Sequence, residues 1–76
     1  MPHVEIKCFP GRTDAQKREC AEKLSIVIAE TLGCKTSSVS VAIKEIPEDD
    51  WKNEVWEKQI VPDDELLYKK PGYTCE

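Results

Sequence analysis

The sequence has a single histidine, no clustered basic residues, no long apolar run and no glycine-rich loop. One histidine, with no evident nucleophile–base pair, leaves little basis for a hydrolase triad. The G-x-S-x-G elbow, the phosphate-binding loop, H-E-x-x-H and the dinucleotide fingerprint are all missing. Lysine and arginine are scattered, "YKK" being the longest basic run, and the net charge is −4. That balance argues against nucleic acid and anionic membranes as partners, since both select clustered positive charge. No apolar stretch approaches the roughly 20 residues of a membrane span, and no secretory leader precedes the first strand-like run. A cytoplasmic location is therefore expected.

What is present fits one small domain, 1–76, because 76 residues leave no room for a second core. The four cysteines, Cys8, Cys20, Cys34 and Cys75, show no C-x-x-C pair, and His3 is not spaced as a ligand with any of them. Reduced thiols and no metal are expected. Cys8 and Cys20 fall on the apolar faces of the predicted elements, where a small side chain packs.

"HVEIKCF" (3–9) alternates, with Val4, Ile6 and Cys8 on one face, which is the period of a half-buried strand. "PG" then breaks the run. Thr13 and Gln16 stand at N-cap and N3 spacing, a capping box opening a helix over 14–32. Its predicted apolar face is Cys20, Leu24, Val27, Ile28 and Thr31, and Gly33 is the natural stop. "SVSVAIKEI" (38–46) is a second strand with Val39, Val41 and Ile43 inward and Ser38, Ser40, Ala42 and Lys44 opposite. Strand, helix and strand at this spacing predict an α/β fold, a single β-α-β unit with parallel strands and a right-handed crossover. This core spans about 2–46. Beyond it, Pro47 opens a shorter helix, "EDDWKNEVWEK", with an acidic first turn that suits the helix dipole. The tail through "LYKKPGY" reads as an extended arm. Two strands under one helix leave both sheet edges open, so self-association is expected to complete the sheet.

Three features can carry chemistry. Pro2 follows Met1, and methionine removal would free a secondary amine on a rigid ring. An ordinary α-amino group titrates near roughly 7.7–8.0, and an apolar site lowers that value, which suits a general base near pH 7. Taken alone, the plainer reading of Pro2 is the first residue of an edge strand, where a missing N–H does no harm. Arg12, in "PGRTD" ahead of the helix, suits bidentate capture of a carboxylate; the plainer reading is a solvated loop arginine or a partner for Asp14. Trp51 suits the wall of an apolar pocket or a subunit interface. His3, alternating onto the face opposite Val4 and Ile6, reads as solvated, and Lys69, Lys70 and Tyr73 have no assigned role.

Taken together, Pro2, "FPGRTDAQKRECAEKL" and "SSVSVAIKEI" at fixed spacing resemble the 4-oxalocrotonate tautomerase family over about residues 1–51. "LYKKPGY" is similar to the ending of short bacterial tautomerases with a longer tail. The resemblance implies a cofactor-free enzyme of β-α-β subunits assembled as dimers or hexamers, with Pro2 as the proton shuttle. By position, it implies Arg12 as the ligand of a substrate carboxylate or carbonyl oxygen and Trp51 as the aromatic shaping the pocket.

One position departs from the pattern. Members acting on dicarboxylates carry an arginine in the second strand where this chain has Ser40, so Ser40 marks the substrate-binding difference. Loss of one cationic fork disfavours a second carboxylate. A small monocarboxylic enol such as phenylenolpyruvate is therefore the expected substrate, and a homodimer is expected ahead of a hexamer. Two alternatives use the same residues. A protonated Pro2 would serve as general acid in a hydratase, dehalogenase or decarboxylase, and retention of Met1 would leave a non-enzymatic oligomerising domain.

Overall fold

The computed structural model describes residues 1–75. Its contacts divide into two compact units, Met1–Glu45 and the residues from Ile46 onward. In the first unit β1 (His3–Cys8), α1 (Asp14–Leu32) and β2 (Ser40–Glu45) form the expected β-α-β arrangement. The strands are parallel, with His3 opposite Ser40, Ile6 opposite Ile43 and Cys8 opposite Glu45.

Both strands are shorter than their alternation suggests. β1 stops before Phe9, because the ladder ends at the Cys8–Glu45 pair. β2 starts at Ser40 rather than at 38, because a 3-10 turn over Thr36–Ser38 precedes it. The amides of Ser38 and Val39 are spent on that turn, donating to the carbonyls of Lys35 and Thr36 at 2.9 and 3.1 Å.

α1 begins and ends as its capping residues dictate. Thr13 Oγ1 accepts the Gln16 N–H at 3.1 Å, while Gln16 Oε1 accepts the Thr13 N–H at 2.8 Å. Gly33 ends the helix at φ 72°, a left-handed conformation that glycine adopts without a Cβ penalty. The buried face differs from the expected one. Cys20 and Thr31 are exposed and Val27 is 54% exposed, whereas Lys17, Ala21, Leu24, Ser25, Ile28 and Ala29 are the covered positions. Ala21, Ser25 and Ala29 recur every four residues, so their small side chains let the helix lie close to the sheet. Ser25 Oγ is satisfied within the helix, donating to the Ala21 carbonyl at 2.8 Å.

The outer sheet face is polar and internally paired. Lys44 Nζ meets Glu5 Oε1 at 2.6 Å, and His3 Nδ1 lies 2.5 Å from Ser40 Oγ. His3 is exposed, as its face implies, and it also has a partner in Ser40. The two residues sit 37 apart in sequence, and only the strand register makes them neighbours.

In the second unit the expected α-helix is a 3-10 turn, Glu48–Asp50, followed by a π-helix, Lys52–Ile60. The spacing of its covered residues explains the winding. Trp51, Val55, Trp56 and Ile60 are all shielded, Val55 to 4% exposure. At roughly 100° per residue an α-helix would put Trp51 and Ile60 on opposite sides. The i→i+5 bonding of a π-helix, roughly 82° per residue, returns them to one side. The bond from the Val61 N–H to the Trp56 carbonyl, 2.9 Å, has this form. The tail is folded back rather than extended. A 3-10 turn occupies Asp64–Leu66, Lys70 Nζ meets Asp64 Oδ1 at 2.9 Å, and Tyr73 packs against Trp56 with ring centroids 5.6 Å apart.

Among the described residues only Ala29 and Val55 are buried apolar side chains, while Ile26, Leu32 and Leu66 are more than half exposed. No helix among them is long and apolar enough to cross a membrane.

Candidate functional site

Pro2 lies immediately before β1 and is half-buried. It is tied to the second strand, because the Ser40 N–H donates to the Pro2 carbonyl at 3.1 Å. The ladder needs only that carbonyl, so the nitrogen that proline withholds from hydrogen bonding costs the sheet nothing. Met1, ahead of it, is fully exposed at 101%. Ser40 therefore stands at the amino terminus twice over, through its amide to Pro2 and its hydroxyl to His3.

Arg12 sits at the other end of β1. Its Nη1 donates to the Phe9 carbonyl at 3.0 Å, not to Asp14. The six residues of β1, His3–Cys8, lie between Pro2 and Phe9, a strand of roughly 17–20 Å at about 3.3 Å per residue. Pro2 and Arg12 thus lie beyond opposite ends of β1. Trp51 belongs to the second unit, at the start of the π-helix, where it is half-buried.

Around Arg12 the first unit forms a cleft of about 240 Å³ lined by Ile6, Cys8, Arg12, Gln16, Lys17, Cys20 and Ile43. Its floor is the apolar side of both strands and its rim is the first turns of α1. Glu45, at the end of β2, binds two neighbours of this cleft. Its Oε2 accepts the Gly11 N–H at 3.3 Å and its Oε1 meets Lys17 Nζ at 2.6 Å. The Lys17 ammonium and, after it, the Gly11 amide hold the Glu45 carboxyl below the usual carboxylate range, and the same contact raises Lys17. Sequence reasoning does not single out Glu45 or Lys17, since their meeting depends on where β2 ends under α1.

Cys8 and Cys20 share the cleft, Cys8 half-buried and Cys20 exposed; all four thiols are free. Among the described residues no three or more His, Cys, Asp or Glu side chains are grouped to hold a metal ion.

A family model described as "Tautomerase enzyme" matches residues 2–56. The chain is 47% identical over 74 residues to Tautomerase PptA of Cronobacter sakazakii, covering 96% of this chain and 97% of that protein. Against Tautomerase PptA of Escherichia coli O157:H7 it is 41% identical over 75 residues, 97% of this chain and 99% of the relative. The crystal structure of YwhB, a homologue of 4-oxalocrotonate tautomerase, superposes with a TM-score of 0.60 at 40% identity, over 63% of this chain and 79% of that one.

Proposed function

The chain belongs to the 4-oxalocrotonate tautomerase family and is a tautomerase; from that premise we propose that Pro2, freed of Met1, is its general base. The observation that carries this reading is the position of Pro2. It is held at the head of β1 by the Ser40 amide, behind a fully exposed Met1 open to an aminopeptidase.

The substrate is a small 2-hydroxy or 2-oxo monocarboxylic acid with an apolar tail, such as phenylenolpyruvate. Neutral Pro2 takes the proton of the enol hydroxyl, and charge develops toward the oxygen that becomes the carbonyl. Arg12 and an N–H donor such as the Trp51 indole hold the carboxylate and that oxygen. The prolinium then returns its proton to C3, leaving the 2-oxo acid and a neutral amine. Preorganised donors at the oxygen lower the barrier at least as much as the proton transfer itself. Ser40, a neutral hydroxyl engaged with His3, offers no cationic fork for a second carboxylate.

Because Pro2 and Arg12 lie at opposite ends of one strand, a site using both takes them from two copies of the chain. The sparse core and the exposed Ile26, Val27 and Leu32 support self-association, with a homodimer as the simplest assembly. Intact mass spectrometry of the native protein, followed by an enol–keto assay on phenylenolpyruvate beside Pro2→Ala, tests the reading. Retained Met1, or an alanine variant as fast as wild type, refutes it.

A further inference from the structure

The loop that presents Arg12 is held from both sides. Gly11, at φ 125°, occupies a conformation that a side chain would strain. Its amide is taken by Glu45 Oε2 at 3.3 Å. On the other side, the Thr13 amide is taken by Gln16 Oε1 at 2.8 Å, inside the capping box of α1. Pro10, before Gly11, has no N–H to place. Arg12 therefore hangs between two fixed peptide groups, and its own guanidinium touches a neutral carbonyl at Phe9.

The charges are arranged in a way that matters for an anion-binding arginine. Glu45 is near enough to Arg12 for the guanidinium to help lower its pKa, although Lys17 contributes first and most directly. Yet the ion pair that forms is Lys17–Glu45, at 2.6 Å, and among the described residues Arg12 makes none. A carboxylate this close and unpaired would compete with any substrate anion for the guanidinium. Lys17 removes that competition, while the second carboxylate oxygen remains for the Gly11 amide.

We propose that Glu45 and Lys17 are positioning residues for Arg12: Glu45 fixes the backbone that carries it, and Lys17 keeps Glu45 from capturing it. This rests on the reading of Arg12 as the ligand of the substrate anion. A glutamine at 45 keeps an oxygen for Gly11 but carries no charge to capture Arg12, so it needs no lysine beside it. The two halves of the device thus make different demands, and substitutions separate them.

The test is kcat/KM on phenylenolpyruvate for Arg12→Ala, Glu45→Ala, Glu45→Gln, Lys17→Met and the relevant double variants, with helix content and assembly size checked for each. Glu45→Ala is expected to lower kcat/KM roughly tenfold, the scale of one misplaced charge-assisted hydrogen bond. In the Arg12→Ala background the same change is expected to cost about twofold or less, because a residue acting only through Arg12 has nothing left to position. Lys17→Met is expected to lose activity similarly, and adding Glu45→Gln is expected to restore it. A merely structural ion pair predicts the reverse, since removing both charges would repair nothing. The proposal is overturned if the Glu45 and Arg12 losses multiply, or if Lys17→Met stays impaired with Glu45→Gln. Full activity in Arg12→Ala overturns it together with the reading of Arg12. Impaired Arg12→Ala beside a normal Glu45→Ala overturns the positioning role alone.

Discussion

The amide of Ser40 donates to the carbonyl of Pro2 at 3.1 Å, so the amino terminus is placed by the first residue of β2. A side chain at position 40 projects from the strand beside the proposed base, on the outer sheet face with His3. Ser40→Arg is therefore expected to favour substrates with a second carboxylate. Charge-assisted hydrogen bonds contribute about 1.5–3 kcal/mol, which corresponds to roughly 10–150-fold in relative kcat/KM. Competition between a dicarboxylic enol and phenylenolpyruvate measures it; an unchanged ratio removes Ser40 from substrate selection.

Pro2 and Arg12 stand at the two ends of β1, so variants lacking one or the other are expected to complement. When Pro2→Ala and Arg12→Ala chains are unfolded and reassembled together, half of the dimers are mixed, and each mixed dimer holds one intact site. Activity is then expected to recover to about a quarter of wild type for a two-site dimer. No recovery on mixing places both groups of a site in one chain.

The Lys17–Glu45 pair sets a pH range for the Arg12 loop. Glu45 is lowered in the folded chain, by the Lys17 contact first and then the Gly11 amide, so its contribution is present above the ordinary carboxylate pKa. It is lost as pH falls through the lowered value. Lys17 is raised, so its contribution is complete below the ordinary lysine value and fades only as pH rises through the raised one. Carboxyl titration by NMR is expected to show Glu45 below the usual range in the native chain, still lowered in Lys17→Met where Arg12 replaces the ammonium, and raised toward the usual range when Arg12→Ala is added. The Gly11 amide is expected to lose protection from exchange in step with that titration.

Thr13 caps α1 on the side that carries Arg12, with its hydroxyl accepting the Gln16 amide at 3.1 Å. Thr13→Ala is expected to cost about 1 kcal/mol, and Thr13→Ser much less. For a chain of this size that corresponds to roughly 4–8 °C in melting temperature, compared at one protein concentration because assembly shifts the midpoint. Thermal unfolding followed by circular dichroism checks it.

Much of this architecture is legible in the sequence wherever the pattern is local. The alternation of Val4, Ile6 and Cys8, the Thr13–Gln16 box and Gly33 each act within a few residues, and α1 spans the residues they predict. What escapes depends on partners or on winding. The helix face was set by the small residues Ala21, Ser25 and Ala29, whose value is close approach to the sheet. A search by apolar character at helical spacing selects Cys20 and Val27 instead, both left outward. The Trp51–Ile60 spacing fits a face only at π-helical pitch, which an α-helical template does not test. His3–Ser40 and Glu45–Lys17 join positions far apart in sequence, so their meeting waits on strand register and on how α1 crosses the sheet. The candidate site was legible to the same degree. Pro2, Arg12, Ser40 and Trp51 are identified by type and spacing, whereas the separation of Pro2 from Arg12 is a property of the extended strand between them.

The ionisation of the Pro2 nitrogen tests the central claim most directly, read by NMR titration of the native protein labelled with nitrogen-15 proline. A general base working near neutral pH predicts a free secondary amine titrating below the ordinary α-amino range of roughly 7.7–8.0. It also predicts a rate on phenylenolpyruvate that rises through the same pH. A proline that remains an amide behind Met1, or one that titrates above that range while the rate is insensitive to it, would contradict the account.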